Sequence, residues 1–168
     1  MHDALTIYFN GEKNAGLFIA VIGAAIVAAA LVLFRARADF RSFALTLGIL
    51  ALVEIAIGVG LYVKTDPQAG RLRAQLDSNP ARFYTDEGAR MARVQRNFVL
   101  IEYVEVALIV VTAIVAIARK SNATLTGVAL GLLINAALLL AFDLLAERRG
   151  AVYLAAIEQG VPRPNPAA

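Results

Sequence analysis

The sequence predicts an all-α integral membrane protein built as a bundle of four transmembrane helices. Of its 168 residues, 60% are hydrophobic and only 17% are charged, which is far more apolar than a typical soluble domain. The apolar residues fall into four runs, each of roughly the 20 residues that a helix needs to cross a bilayer. The chain is short enough for one domain, so residues 1–168 are predicted to form a single membrane domain.

The first two spans are predicted at residues 15–34 and 42–63. The first contains no charged residue, and at the helical rise its length covers roughly 30 Å, the thickness of the hydrocarbon core. Its length and the basic residues that follow it favour a retained helix over a cleaved signal peptide. The second span carries one charge, Glu54, in an otherwise apolar stretch.

The third and fourth spans are predicted at residues 97–118 and 125–145. The third contains Glu102 and Glu105 but is apolar enough elsewhere to insert. The fourth contains Asn135 and follows a tight polar turn. The two spans therefore complete an even number of crossings, which places both termini on one side.

The loop at residues 64–96 is the largest extramembrane segment. Asp66-Pro67 and Asn79-Pro80 each place a capping residue before a proline suited to the first position of a helix, and Thr85 precedes two acidic residues in the same manner. These signals predict short amphipathic helices between spans 2 and 3.

Three arginines at a spacing of three, Arg90, Arg93 and Arg96, lead into the third span. Because residues three apart are neighbours on a helix surface, they are predicted to form a basic mouth above the membrane. Residues 146–168 are predicted to continue the fourth helix to Gly160 and to end in a proline-rich disordered tail.

Aromatic and aliphatic residues near the predicted membrane surface suit the headgroup region. The N-terminal stretch from Leu5 to Phe9 is predicted to be an interfacial anchor. Tyr153 lies beyond the fourth span and is predicted to belong to an interfacial aromatic belt.

Three polar residues lie at a common depth inside the predicted membrane. Counted from the side of the long loop, Glu54, Glu105 and Asn135 are roughly 12 to 15 Å deep. A charged carboxylate at the centre of a span costs on the order of 3 kcal/mol, so these side chains should not face lipid. Gly127 and Gly131 precede Asn135 at spacings of four and offer a close-packing face. We therefore expect the three side chains to meet in the bundle interior, with Glu102 one turn nearer the surface.

The carboxyl groups of this polar cluster have two possible roles, one structural and one in ion binding. The carboxyl groups can be protonated, hydrogen-bonded groups that hold the helices together, which is a purely structural role. Alternatively, Glu54, Glu102 and Glu105 can bind a proton or a hard cation, because oxygen ligands suit such ions.

Composition excludes several classes of function. The chain has no cysteine and a single histidine, His2, so thiol chemistry and haem or metal sites built on these residues are not expected. No metal, cofactor or catalytic motif is predicted, and the chain is interpreted as a non-enzyme. The net charge of +3 comes from basic residues at the ends of apolar runs, which indicates contact with lipid headgroups and not with nucleic acid.

The leading interpretation is a small inner-membrane protein that acts by association, as an accessory subunit, an assembly factor or an immunity-type protein. Its expected partners are the lipid bilayer and another protein or a second copy of the chain. The alternative is a proton- or cation-handling channel or carrier subunit. The alanine-, arginine- and valine-rich composition suggests a bacterial source, and the lysines and arginines counted over the loops predict cytoplasmic termini.

Overall fold

The computed structural model describes residues 1 to 161 and confirms an all-α, four-helix bundle over that range. The helices are α1 (His2–Ala36), α2 (Arg41–Ser78), α3 (Pro80–Ala118) and α4 (Ala123–Gly160). A short 3-10 turn, Ala38–Phe40, joins α1 to α2. Each long helix contains a stretch apolar enough to cross a membrane. The fold is therefore that of a multi-pass membrane protein.

The helices are much longer than a bilayer is thick. They contain 35, 38, 39 and 38 residues, which at the helical rise corresponds to about 52 to 58 Å, against roughly 30 Å of hydrocarbon. We call residues 15–63 and 97–145 the membrane half. Residues 2–14, 64–96 and 146–160 extend beyond the predicted spans at the end that holds the N-terminus, and we call them the projecting half.

The segment predicted as a loop with short amphipathic helices is instead the continuation of α2 and α3. Asn79 alone separates the two helices, and its side-chain oxygen accepts a hydrogen bond from the backbone N–H of Arg82 at 3.1 Å. The helix start predicted at Asn79-Pro80 is therefore confirmed, whereas those at Asp66-Pro67 and Thr85 are wrong. Pro67 lies within α2 and lacks the N–H that would bond to the carbonyl of Val63. Both residues are exposed, and α2 therefore tolerates this proline.

The four helices pack as two antiparallel pairs. α1 lies mainly against α2, and α3 mainly against α4, while α2 and α4 touch each other across the centre. Over residues 1 to 161, no Cα atoms of α1 and α3 lie within 8 Å of each other, so these two helices meet only through side chains. The bundle is consequently flattened, with α2 and α4 inside and α1 and α3 on either side.

Small residues form the contact between α1 and α2 in the membrane half. A Cβ atom placed on Gly16 would lie 2.7 Å from the carbonyl oxygen of Gly58, and one on Gly23 would lie 3.0 Å from the carbonyl oxygen of Ala51. The helices thus meet backbone to backbone, as small residues allow in membranes.

Large side chains fill the projecting half. Its buried hydrophobic residues come from all four helices: Leu5, Tyr8, Phe9, Ala69, Leu76, Phe83, Met91, Tyr153 and Ile157. The prediction that the N-terminal stretch is an interfacial anchor is therefore wrong, and so is the prediction that Tyr153 belongs to an interfacial belt. Both belong to a core of the kind found in soluble bundles. The predicted proline-rich tail lies outside the described residues.

Candidate functional site

Glu54 and Asn135 meet in the centre of the membrane half, as their common depth predicted. Glu54 is 3% exposed and Asn135 is 7% exposed, and the side-chain amide of Asn135 donates a hydrogen bond to Oε1 of Glu54. The contact requires α2 and α4 to approach closely. Gly127 and Gly131 permit this, since a Cβ on either would come within about 3 Å of Phe43 or Thr46. This polar pair ties the two inner helices together.

Glu105 does not join that pair. It is 7% exposed, its Oε2 is buried without a hydrogen-bond partner, and no hydrogen bond joins it to Glu54 or Asn135 in the described chain. The charged groups that act on it are the carboxyls of Asp143 and Glu102. The single polar cluster expected from the sequence is therefore divided between two places.

Four carboxyl groups line the contact between α3 and α4, and we call them the carboxyl seam: Glu102, Glu105, Asp143 and Glu147. Glu102 interacts with Glu147 and with Asp143, and its Oε1 is buried without a partner. No basic group is among those that act on Glu102 or Glu105. Like charges repel strongly in a medium of low dielectric constant, so a proton or a cation would stabilise this arrangement.

A metal site is not formed by these residues. In the part of the chain that the structure describes, no group of three or more acidic or histidine side chains has an arrangement that could hold a metal ion. The carboxyl seam consequently runs along the helix contact and does not converge on one point.

The basic mouth predicted above the third span is not one group. Arg90 turns inward and forms an ion pair with Glu87, whereas Arg93 and Arg96 are exposed and belong to no ion pair within residues 1 to 161. Residues three apart on an α-helix differ in direction by about 60° around the helix axis. Arg93 and Arg96 therefore point progressively further from the direction of Arg90.

A buried ion pair lies inside the core of the projecting half. The guanidinium of Arg90 donates to both carboxylate oxygens of Glu87, at 2.6 and 2.7 Å, and Glu87 is 2% exposed. The hydrogen bond to Glu87 raises the pKa of Arg90. Two stacked tyrosines, Tyr8 and Tyr153, lie against the pair with their ring centres 4.5 Å apart. A bidentate pair of this kind favours one arrangement of the surrounding helices.

The two tyrosines are held in their neutral form. Burial raises the pKa of Tyr8 to about 12, with the nearby Glu12 adding to the shift. Burial also raises the pKa of Tyr153, whose hydroxyl lies beside Glu87. Sequence reasoning missed this network, although one signal was available. Phe83, Glu87 and Met91 recur at a spacing of four, which places the carboxylate on the apolar face of α3.

Three large aliphatic side chains, Ile7, Val152 and Val161, are exposed beyond the predicted spans in the described residues, and the first two are the most exposed. Ile7 on α1 and Val152 on α4 are each 73% exposed, and both line a shallow cleft of about 370 Å³. We call them, with the cleft, the α1/α4 patch. The floor of the cleft contains Tyr8 and Tyr153, and its remaining lining residues are Ala4, Arg148 and Arg149.

The α1/α4 patch is separated from the hydrocarbon by roughly 10 Å, since Val152 is two helical turns beyond residue 145. The headgroup region is roughly 5 to 8 Å thick on each side. The predicted span boundaries therefore leave these side chains outside the lipid tails, where exposed apolar groups commonly mark an interaction surface.

No protein-family model, curated protein or solved structure matches this chain.

Proposed function

We propose that this protein acts by association: it is a non-enzymatic membrane protein that binds a partner protein through the α1/α4 patch. The observation that carries the proposal is the exposure of Ile7 and Val152 in the projecting half. Apolar side chains that neither lipid nor core covers typically mark a protein contact. The accompanying arginines, Arg148 and Arg149, suit an acidic rim on the partner.

The proposed setting is the inner membrane of a bacterium, with both termini in the cytoplasm. An accessory subunit, an assembly factor and an immunity-type protein would all use such a surface, and the partner is another protein or a second copy of this chain. Nucleic acid is not a proposed partner, because the basic residues concentrate at the ends of the spans.

Site-specific cross-linking in native membranes tests this function. The chain contains no cysteine, so single cysteines can be introduced without a background. We expect Val152→Cys to form a defined cross-linked adduct. Ala74→Cys, an exposed position of the projecting half on α2, should give none.

A matched pair of variants then links the adduct to the patch. Ile7→Ser should weaken the adduct formed by Val152→Cys, whereas Ala89→Ser, at an exposed position of the projecting half on α3, should leave it unchanged. Both substitutions are at the surface and should alter stability by only about 0.5 kcal/mol or less. Equal adducts from both cysteine positions, or none from either, would remove the proposal.

A second candidate function is proton or cation handling by the carboxyl seam. The observation in its favour is Glu105, which is almost completely buried and leaves one carboxyl oxygen without a partner. Buried carboxyl groups inside a membrane protein commonly mark a proton path. Glu54, by contrast, already has its hydrogen bond with Asn135.

Flux measurements in liposomes separate the two functions. The transport function predicts proton or cation flux that Glu105→Gln abolishes in a protein that remains helical, while Glu54→Gln mainly lowers stability. An absence of flux across a range of pH and of monovalent and divalent cations would leave the carboxyl seam with a structural role.

A further inference from the structure

A second cleft lies where the membrane half meets the projecting half. It measures about 470 Å³, within the range of ligand sites, and all four helices contribute to its lining. On α1 the lining runs from Gly11 to Ile19 and on α4 from Phe142 to Arg149. Both ranges include the predicted ends of the spans, at residues 15 and 145. The cleft is therefore at the level of the lipid headgroups.

The lining divides into an apolar and a polar part. The large apolar residues of the lining are Phe18, Ile19, Ile57, Leu61, Phe98 and Phe142, of which Ile57 and Ile19 lie deepest in the predicted spans. The polar part consists of Glu12, Asn14, Asp143 and Arg149. A site that is apolar toward the bilayer and polar toward water suits an amphiphilic molecule.

Arg149 is only partly satisfied by the protein. Its side chain is 32% exposed, and its Nη2 is 3.6 Å from Oε1 of Glu12, which makes an ion pair but not a hydrogen bond. A guanidinium with free donors is a strong binding group for phosphate.

The cleft also offers negative groups. Glu12 and Asp143 both line it, so one guanidinium faces two carboxyls. Burial raises the pKa of Glu12, and Arg149 partly opposes that shift. A bound cation would favour the ionised form of this carboxyl. The set of charges matches a ligand that carries an anionic and a cationic group together.

We propose that this cleft binds a zwitterionic phospholipid with a primary ammonium headgroup, a phosphatidylethanolamine. Its phosphate is bound by Arg149, its ammonium by the carboxyls of Glu12 and Asp143, and its acyl chains follow the apolar part of the lining into the bilayer. The site shares Arg149 with the cleft of the α1/α4 patch but binds a different ligand, and it does not depend on any protein partner.

Related lipids fit this set of groups less well. A choline headgroup has no N–H to donate to the carboxyls, and a phosphatidylglycerol has no cation at all. Losing one charge-assisted hydrogen bond reduces binding on the order of tenfold. Retention should therefore fall in the order ethanolamine, then choline and glycerol.

Native mass spectrometry of the full chain tests the proposal. The protein is exchanged into micelles containing equal amounts of phosphatidylethanolamine, phosphatidylcholine and phosphatidylglycerol, and the retained lipids are counted. We expect the ethanolamine lipid to be retained about tenfold in excess of the other two.

Four variants attribute the retained lipid to the cleft. The double change Glu12→Gln and Asp143→Asn should abolish the preference for ethanolamine over choline, and Arg149→Gln should lower retention of every phospholipid. Ala15→Leu, which fills the cleft without changing a charge, should prevent retention. Arg96→Gln, at an exposed arginine of similar depth on α3, should change nothing. Helicity and a single size-exclusion peak establish that each variant is folded.

Several results would overturn the proposal. Equal retention of the three lipids, a preference for phosphatidylglycerol, or unchanged retention in the folded Glu12→Gln, Asp143→Asn variant would each do so. Because none of these readouts involves the cross-linked adduct, the lipid site and the protein-binding function fail or succeed separately.

Discussion

The membrane half and the projecting half of the same four helices are held together by different means. In the membrane half, α1 and α2 meet through Gly16 and Gly58, backbone against backbone. In the projecting half, the same two helices are spaced by buried side chains such as Leu5 and Leu76. Water drives large apolar side chains into a core, but lipid tails do not, so close approach and hydrogen bonds replace burial within the bilayer.

The largest test of this difference compares two phenylalanines on α1. Phe9→Ala should lower the free energy of unfolding by about 3 to 5 kcal/mol, because Phe9 is 4% exposed in a core that excludes water. Phe18→Ala should cost about 1 kcal/mol, since Phe18 is 58% exposed and loses chiefly its edge-on contact with Phe142. Titration with SDS in mixed micelles, followed by circular dichroism, measures both. Equal costs would mean that the two halves are stabilised alike.

A comparably large effect is expected from the buried ion pair of the projecting half. Arg90→Met leaves the carboxylate of Glu87 buried without its partner, which should cost about 3 to 5 kcal/mol. The matched change Arg93→Met affects an exposed side chain and should cost about 0.5 kcal/mol or less. The same unfolding titration distinguishes them, and a small loss in Arg90→Met would show that water reaches Glu87.

Close packing in the membrane half is tested by adding a single methyl group. A Cβ on Gly58 would lie 2.5 Å from the carbonyl oxygen of Gly16, so Gly58→Ala must separate α1 from α2. We expect a loss of about 1 to 3 kcal/mol. Gly60, two residues further on, has no atom within 4 Å of such a Cβ, and Gly60→Ala should cause no loss. If both variants unfold alike, the close contact contributes nothing to stability.

The smallest expected effect concerns the polar pair of the inner helices. Asn135→Ala removes the side-chain amide that donates a hydrogen bond to Glu54 and should cost about 1 to 2 kcal/mol. Ile134→Ala, at an exposed neighbouring position, provides the matched control. A cost for Asn135→Ala no greater than that of the control would contradict a bonding role for the pair.

The sequence alone was sufficient for the fold class and for the depth of the polar residues. Hydropathy locates the spans because lipid demands apolar surface over a fixed length, and counting from their ends brought Glu54 level with Asn135. Counting gives depth but not direction around the helix. It therefore did not separate Glu105, which is directed toward α4 and Asp143.

What the sequence did not reveal depends on distant partners. Leu5 and Tyr8 resemble an interfacial anchor until the end of α4, more than 140 residues later, supplies Tyr153 to cover them. Asp66-Pro67 predicts a helix start, because a proline inside a helix is usually costly. A helix tolerates proline on an exposed face, and the packing of α2 against its neighbours determines which face Pro67 occupies.

The seven-residue spacing of the small residues has a consequence for register. Gly16, Gly23 and Ala30 of α1 are buried opposite Gly58, Ala51 and Ala44 of α2, so a slide of seven residues, about 10 Å, would still set small residue against small residue at two of the three levels. The contact inside the bilayer therefore does not fix the alignment of the two helices by itself. Two contacts in the projecting half, the ion pair of Lys13 with Asp66 and the contact of His2 with Asp77, would both be broken by such a slide. The membrane half thus sets how closely the helices approach, and the part of the bundle in water selects one alignment among those that the bilayer would accept.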